Sequence, residues 1–212
     1  TLALVSERTE ASGTPLARPR IGLFRPWGSS MDEGWTRWLL EQYDFDLVTL
    51  RPADFRAPLR QKVDVVILAE DARIPVEGGG GGRGRGAGPG GGGGGRSVRP
   101  EYADLVGAED LARFDQFVRA GGTVVCLGNA STFAINQFKL PVKNVIAGLR
   151  PEEYFLRGSL VEVTTDPTHP VMAGMPDKAA VFVDGSPVFE TLEGFTGRVL
   201  AKYQEEGSPL LS

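Results

Sequence analysis

The sequence predicts an α/β fold: an open, mostly parallel sheet with helices on both faces and added antiparallel strands near the C-terminus. Three observations carry that prediction. Compact apolar runs without polar alternation recur at Ile21–Phe24, Val63–Leu68 and Thr123–Leu127, the mark of strands buried on both faces. Stretches of helical period stand between them. In the last third of the chain that period fades while strand-like runs continue.

Residues 1–19 are largely polar and read as a linker from a missing upstream domain, with a short strand at Leu2–Val5; the domain proper spans 20–212. Ile21-Gly22-Leu23-Phe24 is the first strand. It leads through Arg25-Pro26-Trp27-Gly28-Ser29 to a helix whose start has the spacing of a capping box, Ser30 covering a free amide and Glu33 reaching back. Trp35, Trp38, Leu39 and Tyr43 mark one face of that helix. Asp46–Leu50 and Val63–Leu68 are the second and third strands.

Residues 78–95 are almost all glycine. Such a segment buries too little apolar surface to offset its ordering entropy, so it is expected to be a disordered insertion of no chemical role. An RNA-binding Arg-Gly segment would need more arginines than Arg83 and Arg85, and a phosphate cradle would need a closing Lys. Leu111, Phe114, Phe117 and Val118 form the apolar stripe of the next helix, and Gly121-Gly122 turns the chain into the fourth strand at Thr123–Leu127. Ser159–Thr164, Ala180–Val183 and Arg198–Tyr203 are strands separated by turns, among them Asp166-Pro167-Thr168-His169-Pro170, whose prolines restrict the residues before them. Alternating strands and helices followed by strands alone make a flavodoxin-like sheet with antiparallel additions at one edge.

Composition excludes several functions. A net charge of −4 lacks the basic face that nucleic acid requires, and no apolar run is long enough to span a membrane. One cysteine, Cys126, allows no internal disulfide. With His169 as the sole histidine, an internal zinc site, which takes three or four ligands, is not expected. A start at Thr1 and an apolar end at Pro209-Leu210-Leu211 suggest a segment excised from a longer protein.

In α/β folds chemistry is mounted at the carboxyl ends of the strands. The sharp corner after the fourth strand reads Gly128-Asn129-Ala130, with no Cys, Ser or His at its apex, so no catalytic residue is assigned. Trp27 and Ser29 after the first strand, Glu70 after the third, and Asn129 and Ser131 after the fourth are candidate ligand-binding residues at one shared edge. Asp71 stands beside Glu70. Carboxylates at strand ends more often cap helices than bind metal. Cys126 inside its strand reads as a buried, inert thiol with a raised pKa, and His169 as a turn residue.

Arg119-Ala120-Gly121-Gly122-Thr123-Val124-Val125-Cys126-Leu127-Gly128 resembles the helix–strand–elbow unit of class I glutamine amidotransferase-like domains. That resemblance places Gly128 where working amidotransferases carry their cysteine, and the late His-x-Glu is absent because Pro170-Val171 follows His169. Asp166-x-x-His169-Pro170-Val171-Met172-Ala173-Gly174-Met175-Pro176 resembles a turn of non-catalytic relatives, the trehalose-utilisation-type domains and a domain of some β-galactosidases. Arg20–Trp27, the Met31–Tyr43 helix and Leu140–Val145 resemble the C-terminal domain of bacterial carboxypeptidase A-type zinc carboxypeptidases. This implies a non-catalytic accessory domain partnered by an upstream peptidase domain of the same chain. Zinc would be held only there, the ligand would be a peptide or glycan, and the location would be secreted or periplasmic. The alternatives are a stand-alone small-molecule or sugar-binding module, or a divergent hydrolase or amidotransferase using Cys126.

Overall fold

A computed structural model describes residues 17–25, 27–28, 30–77, 104–206 and 208–210. The expected strand at 2–5, the glycine-rich 78–95 and Ser29 lie outside these. Four parallel strands form the main sheet: β1 (Ile21–Phe24), β2 (Leu47–Leu50), β3 (Val65–Leu68) and β4 (Thr123–Cys126), in the order β2-β1-β3-β4. Ile21 stands in register with Leu47 on one side and Val65 on the other, and Val65 with Thr123. This is the flavodoxin-like order.

Right-handed crossovers decide which face each connection covers. The step from β1 to β2 runs one way across the sheet and the later steps run the other way. Accordingly α1 (Met31–Gln42) lies on one face, and α2 (Ala108–Arg119) and α3 (Ser131–Phe138) on the opposite one. The second face holds the larger core. Phe24, Leu50, Val66 and Leu68 from the strands meet Phe55, Leu59, Phe114 and Phe117 there. Phe114 sits at the centre of an aromatic cluster, with ring centroids 5.1 Å from Phe55, 5.4 Å from Phe138 and 6.1 Å from Phe117. Gly22 leaves space on this face for Leu50: a Cβ at position 22 would stand 2.5 Å from Leu50 Cδ1.

The α1 face is thinner, built from Ile21, Leu23 and Ile67 with Leu40, Phe45, Leu47 and Val65 packed against them. The capping expectation holds in half. Ser30 Oγ accepts from the Glu33 amide at 3.0 Å, but the Glu33 side chain, 4% exposed, turns to Arg37, which donates to it at 2.6 Å and to Thr49 Oγ1 at 3.1 Å. Glu33, Arg37 and Leu40 therefore face the sheet. The face marked by Trp35, Trp38, Leu39 and Tyr43 points outward: Trp35 is 66% exposed, Trp38 55% and Tyr43 70%.

The antiparallel strands expected near the C-terminus are present, and they pair with one another in sheets of their own. β5 (Val142–Asn144) pairs with β8 (Phe189–Thr191). β6 (Arg157–Thr165) lies between β7 (Lys178–Asp184) and β9 (Ala201–Tyr203). Leu210 bridges Val161, so Pro209 and Leu210 run along β6. β6 and β7 satisfy each other's backbone groups across the connection 166–177.

Candidate functional site

The carboxyl ends of β3 and β4 frame a cleft of about 530 Å³ lined by Glu70, Asp71, Arg73, Asn129, Thr132 and Phe133, with Ala72, Ile74 and Ala130 completing it. Glu70 and Asn129 meet as the sequence suggested: Asn129 Nδ2 donates to Glu70 Oε1 at 3.1 Å. Asp71 accepts from Ser30 Oγ at 2.6 Å, tying the start of α1 to the same edge.

Trp27 and Ser131 lie elsewhere. Trp27, 41% exposed, packs under the Arg51 guanidinium, 4.2 Å from its ring centroid, on the β2 side of the edge rather than as a wall of the cleft. Ser131 Oγ donates back to the Cys126 carbonyl at 3.3 Å and is absent from the lining. Thr132, one residue on, faces the cleft instead, because the phase of α3 turns it there.

The corner after β4 keeps an elbow's backbone without its side chain. Gly128 has φ +47°, a left-handed conformation that suits glycine. A Cβ built there would stand 2.5 Å from the Glu70 carboxyl carbon and 2.7 Å from its Oε1. The carboxylate thus fills the space that a nucleophile's side chain would need.

The site is acidic. Burial, and next the charge of Asp32, push the Glu70 carboxyl above its usual range; Asp184 and Asp71 add to this, and the Asn129 hydrogen bond opposes it. Asp32 is raised too, by burial and then by Asp71. A carboxylate held under such conditions favours protons, ammonium groups and hydroxyl donors. Among the described residues no three His, Cys, Asp or Glu stand together as a metal site. His169 Nδ1 accepts from the Val171 amide at 3.2 Å, capping its turn, while Cys126 packs against the α2–α3 core with its thiol pushed up by burial to about 11.

Glu70 also sets a pH dependence. Its raised folded-state pKa means that the native state holds this proton more tightly than the unfolded chain does. The resulting stabilisation is complete below the ordinary glutamate range and is lost as pH climbs through the raised value. Glu70→Gln is therefore expected to match the wild type near about pH 4 and to melt at a higher temperature at neutral pH. Paired thermal melts across that range would read it. A Gln variant whose deficit against the wild type grows as pH rises from about 4 to 7 would mean that the ionised carboxylate is favoured in place.

No protein-family model and no curated protein matches the chain. A similar solved structure is that of a "putative gmp synthase subunit a protein" from Thermoplasma acidophilum. It shares 10% identity over 85% of this chain and 71% of that one, with a TM-score of 0.46. So slight a likeness carries neither fold nor function, which rest on this chain's own topology and residues.

Proposed function

We propose that the chain is a non-catalytic amidotransferase-like domain, an accessory module of a zinc carboxypeptidase-type protein whose carboxyl-edge cleft is available to a peptide or glycan. One observation supports the non-catalytic reading above the rest: the elbow apex is Gly128, and the Glu70 carboxylate occupies the space beside it. The nearest thiol, Cys126, lies two residues earlier and packs into the core. The carboxypeptidase context rests on sequence resemblance alone, so the zinc chemistry belongs to an upstream domain and no step is assigned to this one.

Three measurements test this. At neutral pH, a thiol with its pKa at about 11 holds so little thiolate that iodoacetamide should label Cys126 on the order of 100-fold more slowly than a free cysteine. A glutaminase assay should show no turnover. Fast labelling, with glutamine hydrolysis abolished by Cys126→Ser, would overturn the reading in favour of a cysteine-dependent enzyme. Peptide mapping of the native gene product addresses the context: an upstream domain with a His-x-x-Glu pair supports it, and a different upstream domain removes it.

A further inference from the structure

β7 carries the longest open strand edge among the described residues. It has β6 on one side and no strand on the other, whereas the outer strands β2, β4 and β9 are three or four residues long. The Thr165 amide donates to the Asp177 carbonyl at 2.8 Å, which sets the phase of the ladder. Ala179, Val181 and Val183 therefore turn their backbone groups to β6, and Lys178, Ala180, Phe182 and Asp184 turn theirs outward. Among the described residues no backbone group pairs with those outward amides and carbonyls. Proteins blunt such an edge with proline, a bulge or a charge in mid-strand. β7 has none of these: its charges stand at its two ends, Lys178 and Asp184, and the register shift at Arg157–Ser159 is on β6.

We propose that two copies of this chain join antiparallel along β7, with a two-fold axis through Val181, so that the three-stranded sheet of each continues into that of the other. What selects a second copy is that Lys178-Ala179-Ala180-Val181-Phe182-Val183-Asp184 complements its own reverse. The two-fold sets Lys178 opposite Asp184 and Ala180 opposite Phe182, twice each. All four are outward-phase residues, so each exchanges N–H···O=C bonds with the residue opposite. Lys178 and Asp184 lie on the same exposed face, where opposite charges directly across a ladder attract. Lys178 already donates to Glu162 Oε1 at 2.7 Å, and its ammonium has further donors for Asp184 of the other copy. The small Ala180 leaves room for the Phe182 ring, which is 66% exposed in a single copy. On the opposite face Val181 meets its counterpart and Ala179 meets Val183. A slip of two residues, the smallest that keeps the phase, moves Lys178 to face Phe182 or Ser186 and breaks both charge pairs. An unrelated strand would need a matching acid and base at the same separation; a second copy supplies them by symmetry.

Sedimentation velocity on the 212-residue chain should show a monomer at low micromolar concentration giving way to a dimer at several hundred micromolar. Lys178→Asp and Asp184→Lys each set like charges opposite one another at both ends of the interface. Each should weaken the dimer by on the order of 10-fold, with the far-UV circular dichroism unchanged. Mixed in equal amounts, the two single variants restore every opposite-charge pair between them, so they should form a heterodimer tighter than either homodimer. Val181→Cys reads the register. Opposed Cα atoms at a non-hydrogen-bonded pair stand about 4.5 Å apart, within disulfide range, so mild oxidation should cross-link two copies through that position, and Phe182→Cys far less. A monomer at every concentration would overturn the proposal and leave the edge to a strand of another chain. A dimer indifferent to both charge variants, or a mixture with no preference for the heterodimer, would place the interface elsewhere. Should a charge variant fail to fold, the cross-link decides: a dimer that Val181→Cys does not link is not paired along β7 in this register.

Discussion

Phe114→Ala is expected to cost about 3–5 kcal/mol of unfolding free energy, among the largest losses from a single substitution in this chain. The ring is fully buried, and it contacts aromatic groups from three separate segments: Phe55 in the connection after β2, Phe117 on its own helix, and Phe133 and Phe138 on α3. Removing it deletes the transfer free energy of the ring. It also leaves a cavity that cannot close readily, because its walls are rigid rings anchored on different elements. Urea unfolding should show a lower midpoint with an unchanged slope. A contrast makes the result specific. Phe182→Ala, at an exposed position on β7, should fall within about 0.5 kcal/mol of the wild type. A Phe114→Ala loss below about 1 kcal/mol would mean that the aromatic cluster is loosely packed and able to collapse.

Arg37→Ala should cost about 3 kcal/mol, for an electrostatic reason. It strands the buried Glu33 carboxylate, which keeps Arg25, 3.9 Å from its other oxygen, and the charge of Arg51 nearby. Replacing both partners is a different matter. A Glu33→Met, Arg37→Met double substitution removes the desolvated charges together and should lie within about 1 kcal/mol of the wild type. The coupling energy from a cycle completed with the single Glu33→Met and Arg37→Met variants is then about 2 kcal/mol or more. If the two single losses simply add, the pair is effectively solvated and does not orient α1.

The same pair shows where the sequence was legible and where it was not. Ile21–Phe24 and Val65–Leu68 could be read directly, because strands buried on two faces need unbroken apolar runs, whereas Thr123–Cys126, read the same way, is an edge strand with Thr123 and Val125 exposed. The period of α1 was equally plain, but a period defines a stripe and not which side of the helix meets the sheet. Here a charged pair and Leu40 take the inner side, and the tryptophans take the outer. β5 and β8 escaped notice because three-residue strands carry no periodicity and exist through their pairing. The glycine at the elbow was visible in the sequence. That Glu70, from a different strand, lies against it is a tertiary fact no local pattern encodes.

The division into parallel and antiparallel sheets also sets an order of events in time. β1 cannot be completed until segments as distant as Val65 reach it, and β3 then waits for Thr123, so each pairing carries a large loop-closure cost. β6 and β7 face each other across one short connection, Thr164 with Lys178, and can zip as soon as both exist. On the ribosome the slow half emerges first and the fast half last. The nascent chain therefore carries the apolar strand Val65–Leu68 with one edge open until Thr123–Cys126 emerges, and that interval of exposure to aggregation precedes the appearance of its quickest-folding part.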